Sequence, residues 1–470
     1  MIRFEDIREA TGGTLLCGRE RDFSGLSIDS RHIKNGELFV ALKGERFDGH
    51  DFVADALKTA GGALVSSNTL CAAGGGDCNH GLRSADYAGD KSIILVHDTL
   101  QALQALAGFI RRNFAGPVIV VAGSNGKTTT KELLSCILSA RMKILKTTGN
   151  LNNHIGMPLT IARIEEGTVA MVLEMGTNRP GDVDELCRIA PPDIAVITNI
   201  GYEHLEGFGS LEKVRDSELE LLPYVKKLVV NADDLFLMGG ISKAFTGELI
   251  TFAIERGDAD ITAHEITLSD EGASFVLQAE GRRVTVRSRL PGRFNIYNSL
   301  AAAAAAHAMG SSLQDISAGL GSFEGVHMRF EIERHKGVTF LNDSYNANPS
   351  SMEESVKELV RRVQAGGGRA IVVLGDMLEL GAFAADAHTN LGLRIAGLPV
   401  ERAICVGPLM ELTAAAAGAK GTHADSPAAA AAQLQSIMRE GDNVLIKGSR
   451  GMRMEKVLAF FAGDGPGETA

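Results

Sequence analysis

Residues 118–130, with the sequence VIVVAGSNGKTTT, constrain the fold more than any other stretch of the chain. An apolar run typical of a buried strand leads directly into a cluster of glycine, lysine and hydroxyl residues. Gly123 and Gly126 allow a tight turn that presents backbone N–H groups to phosphate oxygens, Lys127 can reach the terminal phosphates, and Thr128 can hold a magnesium ion. A strand, a loop, Lys-Thr and a helix in this order predict a site for a nucleotide triphosphate.

The loop is shorter than the general P-loop, because only Ser124 and Asn125 separate the two glycines. The alternative is a glycine-rich turn between a strand and a helix that holds no ligand.

Length and composition bound the possibilities. A chain of 470 residues with 45% hydrophobic residues suggests about three domains. A formal charge of -11 argues against a nucleic-acid surface and fits a soluble protein that holds anionic ligands with local cations. The charged start of the chain and the lack of an apolar run of about 18 residues predict a cytoplasmic protein without a membrane span.

The cysteines are scattered, which fits reduced thiols better than a disulfide framework. Cys71, Cys78 and His80 suggest a metal, but the glycine-filled gap between them favours a plain surface loop, and we assign no zinc. The glycine-rich segment 72–90 is predicted to be a loop or insertion.

Apolar runs alternate with helical stretches along the chain, which predicts an α/β protein of three domains: a small α/β unit at 1–98, a central P-loop ATPase-like parallel-sheet domain at 99–327, and a Rossmann-like doubly wound domain at 328–470. The predicted strands lie at 38–42, 63–65, 118–122, 169–173, 193–198, 227–231, 338–341, 370–374, 403–406 and 443–446. The alanine-rich segments 301–306 and 428–432 are predicted to be helical.

Polar side chains follow several predicted strands, where open α/β sheets place ligand groups. Glu174 ends the strand 169–173 and is a metal candidate, and His204 follows the strand 193–198 and can add a neutral nitrogen to the same ion. A lone histidine is more often structural or exposed to solvent.

The third predicted domain has the same layout. The segments FLNDSYNANP at 340–349, LGDMLELG at 374–381 and KGSRGMR at 447–453 each follow a strand, and together they predict a polar cleft. Asn and Asp are also ordinary turn formers, which is the alternative for the first of these segments.

Taken together, the short loop GSNGKTT, NLNNHIGMP at 150–158, LEMG, TNIGYEHLEGFGS and GRFNIYN resemble the ATP-dependent Mur ligases of peptidoglycan synthesis over nearly the whole chain. The segments NDSYNANPSSM, LGDMLELG and KGSRGMRME resemble the members that add D-alanyl-D-alanine to UDP-N-acetylmuramoyl-tripeptide.

This resemblance implies a role for individual residues. The ATP-binding set is Gly123, Ser124, Asn125, Gly126, Lys127, Thr128, Thr129, Asn295, Arg329 and Asp343. The dipeptide site is expected at Tyr345, Asn346 and Asn348. The implied catalytic residues are Lys127, Glu174, His204 and Glu218, and the implied magnesium ligands are Thr128, Glu174, His204 and Glu218. Asn295 would reach the nucleotide base, while Arg329 and Asp343 would close over ATP from the third domain.

The string IDSR at 28–31 and the segment at 36–52 are similar to the UDP-sugar-binding domain of the family, with Ser30, Arg31 and the turn from Asp48 to His50 as candidates. Arg31 can grip a diphosphate with charge-assisted hydrogen bonds. An exposed arginine that serves only as a surface charge is the alternative.

Two positions depart from the family pattern. Glu218 stands where the family has a lysine that becomes a carbamate and binds magnesium, so we expect Glu218 to supply the same kind of oxygen ligand without the modification. Lys213 is five helical positions away and faces elsewhere, while a solvated surface carboxylate is the alternative for Glu218. Phe294 replaces a histidine before Asn295, either stacking on adenine or packing in the core.

The resemblance implies a monomeric enzyme that uses ATP and Mg²⁺ to join D-alanyl-D-alanine to the carboxylate of the tripeptide through an acyl phosphate, with domain closure to exclude water. One rival is a ligase of the same fold, such as a folylpolyglutamate synthase. Another is a nucleotide-gated binding protein without ligase activity.

Overall fold

The computed structural model describes residues 1–66, 90–241 and 245–462, which form three successive α/β units, each built on its own sheet. The predicted fold class is confirmed. The helix Thr99–Asn113 joins two units, because Leu103 and Leu106 pack in the first core and Ala107 packs in the second. The predicted domain boundary at 98/99 therefore assigns the whole of this helix to the central unit, although part of it packs in the first. The exact domain limits stay predictions. The predictions for Cys71, Cys78, His80 and segment 72–89 lie outside the described residues.

The first unit has a five-stranded sheet in the order β1-β5-β4-β3-β2, in which only β1 runs antiparallel to its neighbour. Its elements are α1 Phe4–Thr11, β1 Thr14–Cys17, β2 Leu26–Ser27, β3 Leu38–Val40, a 3₁₀ helix Gly49–Phe52, α2 Val53–Leu57, β4 Gly62–Ser66 and β5 Ser92–Val96. The two strands predicted in this region are present as β3 and β4.

The central unit has a nine-stranded sheet in the order β14-β13-β12-β11-β10-β9-β6-β8-β7. Its elements are α3 Thr99–Asn113, β6 Val118–Ala122, α4 Lys127–Ser139, β7 Ile144–Lys146, α5 Gly156–Ile161, β8 Ala170–Glu174, α6 Asp182–Ile189, β9 Ile194–Ile197, α7 Leu205–Phe208, α8 Leu211–Glu218, a 3₁₀ helix Leu219–Tyr224, β10 Lys227–Asn231, α9 Leu235–Gly240, β11 Glu248–Ala253, β12 Ile261–Ser269, β13 Gly272–Ala279, β14 Arg282–Ser288, α10 Arg293–Ala308 and α11 Leu313–Ser322. The four predicted strands are found as β6, β8, β9 and β10, and residues 301–306 lie in α10.

The four predicted strands of the central sheet are parallel, whereas the strands β12, β13 and β14 at one edge, which were not predicted, form an antiparallel meander. Glu280 and Gly281 alone join β13 to β14, and both have positive φ, as expected for a tight hairpin turn that matches the strand twist. The alternating burial of these strands shows why their pattern differs from that of the fully buried parallel strands.

The third unit has a six-stranded sheet in the order β15-β16-β20-β17-β18-β19, parallel except for β15. Its elements are β15 Glu331–His335, β16 Val338–Asp343, α12 Pro349–Gly366, β17 Ala370–Gly375, a 3₁₀ helix Gly381–Phe383, α13 Ala384–Gly397, β18 Arg402–Val406, α14 Met410–Ala416, a 3₁₀ helix Gly418–Lys420, β19 Gly421–Ala424, α15 Pro427–Ile437, β20 Asn443–Lys447, a 3₁₀ helix Arg450–Met452 and α16 Glu455–Ala462. The four predicted strands are β16, β17, β18 and β20, and residues 428–432 lie in α15. The edge strands β15 and β19 were not predicted.

The central and third units share a hydrophobic cluster. Leu205, Phe208 and Val214 of the central unit pack with Met377 and Leu380 of the third. This packing brings the carboxyl ends of strands from both sheets to opposite sides of one cavity. In the described parts of the chain, no helix is long and apolar enough to cross a bilayer.

Candidate active site

A cavity of about 760 Å³ lies between the central and third units. The predicted site residues that line it are Ser124, Asn125, Gly126, Lys127, Thr128, Thr129, Glu174, His204, Asn295, Arg329, Asp343, Tyr345, Asn346 and Asn348. Gly123, at the start of the loop, and Glu218, which is bonded to it, are not part of the cavity wall. The candidates of the first unit, Ser30, Arg31, Asp48 and His50, do not line it either. The structure therefore gathers the predicted ATP and dipeptide residues into one space.

The glycines of the phosphate loop are required by close contacts. Gly123 has φ 103° and Gly126 has φ 85°, and a Cβ on Gly126 would lie 2.1 Å from Asn298 Oδ1. Gly126 is the N-cap of α4 and supplies no side-chain hydrogen bond to the helix start. The positive end of the helix dipole therefore faces the loop, which suits an anionic ligand.

Lys127 is folded back onto its own loop. Its Nζ donates to the carbonyl oxygens of Gly123 at 2.5 Å and Ser124 at 3.2 Å, and it pairs with Glu203 Oε2 at 3.2 Å. Burial alone lowers the pKa of Lys127, but the nearby carboxylates of Glu203 and Glu218 outweigh it, so the net pKa is raised. The Lys127 side chain is 14% exposed, and its ammonium group stays charged beside these carboxylates, as a phosphate-binding lysine must.

Glu203 is a functional candidate that was missed in the sequence. Its side chain is buried and contacts Lys127 directly. The available signal was its place next to His204 in the segment after β9, but an acidic residue in a polar loop has no distinctive pattern of its own.

Three buried carboxylates surround Lys127, and each has one oxygen that no hydrogen-bond donor reaches among the described residues. These atoms are Glu174 Oε2, Glu203 Oε1 and Glu218 Oε1. Glu174 Oε2 differs from the other two, because the buried ammonium group of Lys131 lies 3.7 Å from it as an ion-pair partner. A buried anionic oxygen without a partner is costly, and hard oxygen ligands of this kind are the ones that Mg²⁺ prefers. The donor chemistry of these residues thus fits a divalent cation.

Glu218 is fully buried at the end of α8, so the alternative of a solvated surface carboxylate does not hold. Its Oε2 accepts a hydrogen bond of 2.8 Å from the backbone N–H of Gly123. Burial is the main cause that raises the pKa of Glu218 to about 7, opposed chiefly by the charge of Lys127. Lys213, in contrast, is exposed on the same helix. Whether Glu218 binds magnesium stays a prediction.

His204 has left-handed backbone geometry with φ 45°, and its Nδ1 lies 2.7 Å from Glu379 Oε2 of the third unit. This hydrogen bond is the main cause that lowers the pKa of Glu379. Within the ranges that the structure describes, no three His, Cys, Asp or Glu residues are arranged as a metal site. The predicted ligands Glu174, His204 and Glu218 therefore do not converge on one point.

Two asparagines on one face of α10 support the loop. Asn295 is buried, donates to the carbonyl oxygen of Pro291 at 2.8 Å and accepts from Asn298 Nδ2 at 3.0 Å. Asn298, which contacts Gly126, was missed, although its spacing of three from Asn295 was a usable signal. The ring of Phe294 packs edge-on against the ring of Phe330, with 5.2 Å between the ring centres. Of the two roles considered for Phe294, this contact fits packing in the core.

The third unit contributes cations and a carboxylate. The guanidinium of Arg329 lies 4.2 Å from the centre of the Tyr345 ring. Asp343 Oδ2 accepts from Lys447 Nζ at 2.6 Å and from Ser355 Oγ at 2.7 Å. Lys447, at the end of β20, is buried and lines the cavity. The segment 447–453, predicted to line a polar cleft, thus begins with a cation that holds Asp343 in place.

The candidates of the first unit are arranged differently. Arg31 is 80% exposed and is bonded to Asp29, and this bond is the main cause that holds the pKa of Asp29 below its usual range. His50 is buried, with Nδ1 2.6 Å from Asp48 Oδ1 and with Nε2 accepting from the Ser66 N–H. His50 therefore holds its turn against β4.

Comparison with protein families finds three matches in chain order. Residues 22–110 match the Mur ligase family, catalytic domain, residues 121–306 match the Mur ligase middle domain, and residues 328–450 match the Mur ligase glutamate ligase domain.

Individual relatives cover almost the entire chain. It is 33% identical over 465 residues to the UDP-N-acetylmuramoyl-tripeptide–D-alanyl-D-alanine ligase of Bacillus subtilis, covering 97% of each protein. Among solved structures, a crystal structure of MurF from Acinetobacter baumannii has a TM-score of 0.87 at 30% identity, with 98% of each chain covered. The MurF ligase from Thermotoga maritima in complex with ADP has a TM-score of 0.79 at 31% identity, covering 93% of this chain and 96% of that one.

Proposed function

The chain belongs to the Mur ligase family, and from this premise we propose that it joins D-alanyl-D-alanine to the terminal carboxylate of UDP-N-acetylmuramoyl-tripeptide at the expense of ATP. The observation that carries the proposal is the cavity between the central and third units. One wall holds a phosphate loop, and the other holds the segment from Asp343 to Asn348 that resembles the dipeptide site.

The reaction has two balanced steps. A carboxylate oxygen of the tripeptide attacks the γ-phosphorus and ADP leaves, which forms an acyl phosphate. The amine of the dipeptide then attacks the acyl carbon, loses a proton, and phosphate leaves as the amide forms. Lys127, the start of α4 and Arg329, which all face the cavity, would stabilise negative charge on the transferred group, and no protein nucleophile is needed.

The cofactor proposal adds Mg²⁺ to ATP. Thr128, Glu174, His204 and Glu218 would hold it, with the missed Glu203 close by. When bound, the metal neutralises charge on the phosphate oxygens. The buried oxygens that accept no hydrogen bond, above all Glu203 Oε1 and Glu218 Oε1, support this assignment. Glu218 would serve in place of a carbamylated lysine, so turnover should not depend on added bicarbonate, whereas Glu218→Ala should be impaired.

The first unit would bind the UDP end of the substrate. Arg31 is exposed and Ser30 is half-buried beside it in the chain, where they would meet a diphosphate, while Asp48 and His50 shape a second turn of this unit. A cytoplasmic monomer is part of the proposal, since ATP and a UDP-linked precursor are cytoplasmic metabolites, and the charge of -11 argues against a nucleic-acid partner.

The decisive experiment is mass spectrometry of the products after incubation of the protein with ATP, Mg²⁺, D-alanyl-D-alanine and either the diaminopimelate- or the lysine-containing tripeptide nucleotide. We expect a mass increase equal to the dipeptide minus water, together with one ADP and one phosphate. Incorporation of glutamate into a folate instead would favour the folylpolyglutamate synthase alternative. Phosphate release that ignores the dipeptide would favour the nucleotide-gated binding protein.

A further inference from the structure

The side chain of Asn125, in the middle of the phosphate loop, crosses the interface between two domains. Its Oδ1 accepts a hydrogen bond of 2.9 Å from Asn348 Nδ2, and its Nδ2 donates to Ser350 Oγ at 3.3 Å. Both partners belong to the third unit, at the start of α12. The third unit is therefore bonded directly to the loop that receives the triphosphate.

Asn125 is also held by the central unit, chiefly through its main chain, with a longer bond of 3.4 Å from its Nδ2 to Asn199 Oδ1. Its N–H donates to Asn199 Oδ1 at 3.1 Å, and its carbonyl oxygen accepts from Asn199 Nδ2 at 2.9 Å. Because Asn199 fixes the backbone on both sides, the Asn125 side chain points to α12 from a constrained position. A change in the loop conformation on nucleotide binding would therefore alter the hydrogen bonds from Asn125 to Asn348 and Ser350.

Asn348 has a second role as the N-cap of the 18-residue helix α12. Its Oδ1 accepts from the Ser351 N–H at 2.8 Å, while its own N–H donates to Ser351 Oγ, which completes a capping box. One end of the amide therefore caps the helix and the other end reaches the loop. The oxygen and nitrogen of a single side chain couple the helix start to the phosphate loop.

The contact leaves little space. A Cβ on Gly201 would lie 2.6 Å from Ser350 Oγ and 3.0 Å from Asn125 Nδ2. Gly201 is in turn bonded to Ser124 of the loop through its own N–H at 2.8 Å. Three segments of the two units thus meet at one tightly packed point beside the cavity.

We propose that Asn348 and Ser350 are positioning residues for the phosphate loop. Their two hydrogen bonds to the Asn125 side chain, here called the clasp, link closure of the third domain to occupancy of the loop. The proposal deepens the proposed function, and it gives Asn348 a role toward the loop in addition to the dipeptide role implied by the family resemblance. Neither residue needs to touch the dipeptide for this role. The clasp couples nucleotide binding to the movement of the third unit, whose segment from Asp343 to Asn348 forms the proposed amine-binding wall of the cavity.

The test uses the full-length protein and separates the clasp from the helix cap. Asn348→Ser keeps a good N-cap but is too short to reach Asn125, whereas Ser351→Ala weakens the capping box and leaves the clasp intact. We measure the Kd of the non-hydrolysable analogue AMP-PNP with Mg²⁺ by calorimetry, compaction of the protein by small-angle scattering, and Tm. Asn348→Ser should raise the Kd about 10-fold and reduce compaction with a Tm close to that of the unaltered protein. Ser351→Ala should lower Tm without raising the Kd.

A double-mutant cycle makes the claim specific to the pair. Asn125→Ala should raise the AMP-PNP Kd to a similar extent, and the double variant Asn125→Ala/Asn348→Ser should be no worse than either single variant. Additive effects would overturn the clasp, as would an unchanged AMP-PNP Kd with only the KM for D-alanyl-D-alanine raised. Because AMP-PNP binding requires no ligation, the cycle is informative even when the products contradict the proposed function.

Discussion

The phosphate loop and the Asp29–Arg31 turn both carry charges that are candidates for binding phosphate, yet they differ in burial and in pairing. Lys127 is enclosed by three carboxylates and two loop carbonyl oxygens. Arg31 projects into solvent with Asp29 as its bonded partner. The first site encloses its charge among buried carboxylates, and the second leaves its charge on the surface, paired with Asp29.

This difference has energetic consequences. A charge removed from water interacts strongly with its neighbours, so the loss of one member of a buried group leaves the others uncompensated. An exposed pair is screened by water and salt. Substitutions at the loop should therefore change both catalysis and stability, while those at the turn should change only substrate affinity.

Lys127→Met is the substitution with the largest expected effect. We expect kcat/KM to fall by about 10³-fold or more, because the charge that faces the transferred phosphoryl group is lost. Tm should fall as well, since the buried carboxylates of Glu203 and Glu218 lose the cation beside them. Lys213→Met, on the exposed face of α8, is the matched control for the loss of a lysine. A Lys127→Met variant that retained a tenth of the activity would remove the loop from the mechanism.

Glu203→Gln tests the residue that was missed in the sequence. The amide keeps the size and can still accept from Lys127, but it removes one anionic oxygen from the region that fits a cation. We expect the Mg²⁺ concentration for half-maximal phosphate release to rise about 10-fold, and the affinity for Mn²⁺ measured by electron paramagnetic resonance to weaken in parallel. Unchanged values for both metals would mean that Glu203 serves Lys127 alone.

Glu218→Gln should alter the dependence of stability on pH. The folded pKa of about 7 exceeds the ordinary value of 4.5, so the folded state binds more protons between these values. The contribution of Glu218 to the free energy of unfolding is therefore greatest at low pH, falls as pH rises through this window, and levels off above about pH 7. Glutamine cannot titrate, but it can still accept from the Gly123 N–H.

The measurement is Tm from pH 5 to 8 in the presence of EDTA. The Tm of Glu218→Gln minus that of the unaltered protein should increase with pH. Asp216→Asn, an exposed residue on the same helix, should show no such trend. Parallel curves for Glu218→Gln and the unaltered protein would contradict the buried, proton-binding state of this carboxyl.

Arg31→Ala should have the smallest effect. We expect Tm to stay the same, because the side chain is exposed, and the KM for the UDP-linked tripeptide to rise about 10-fold through the loss of a charge-assisted contact. The KM for ATP should not change. Arg8→Ala on the exposed face of α1 is the control for a general loss of positive charge, and an equal effect of both variants would show that Arg31 acts only as surface charge.

Much of the fold was predictable because local patterns agree with the tertiary structure. The strands β6, β8, β9 and β10 are continuous apolar runs, and Lys127 and Gly126 follow β6 in a recognisable order. The meander β12–β14 was missed because its half-buried strands alternate in burial, and β15 and β19 lie at sheet edges with few buried side chains.

The sequence by itself determined the three α/β units, the phosphate loop and the strand ends that carry polar side chains, because each depends on neighbours within a few residues. Only the tertiary structure decided that Glu203 and Glu218 flank Lys127, that Asn298 closes on Gly126, and that Asn125 bonds to Asn348. These partners are far apart in the chain, and their contacts arise from burial and from how two sheets pack against each other. A sequence pattern that spans a few residues cannot predict the burial of these side chains or the packing of the two sheets.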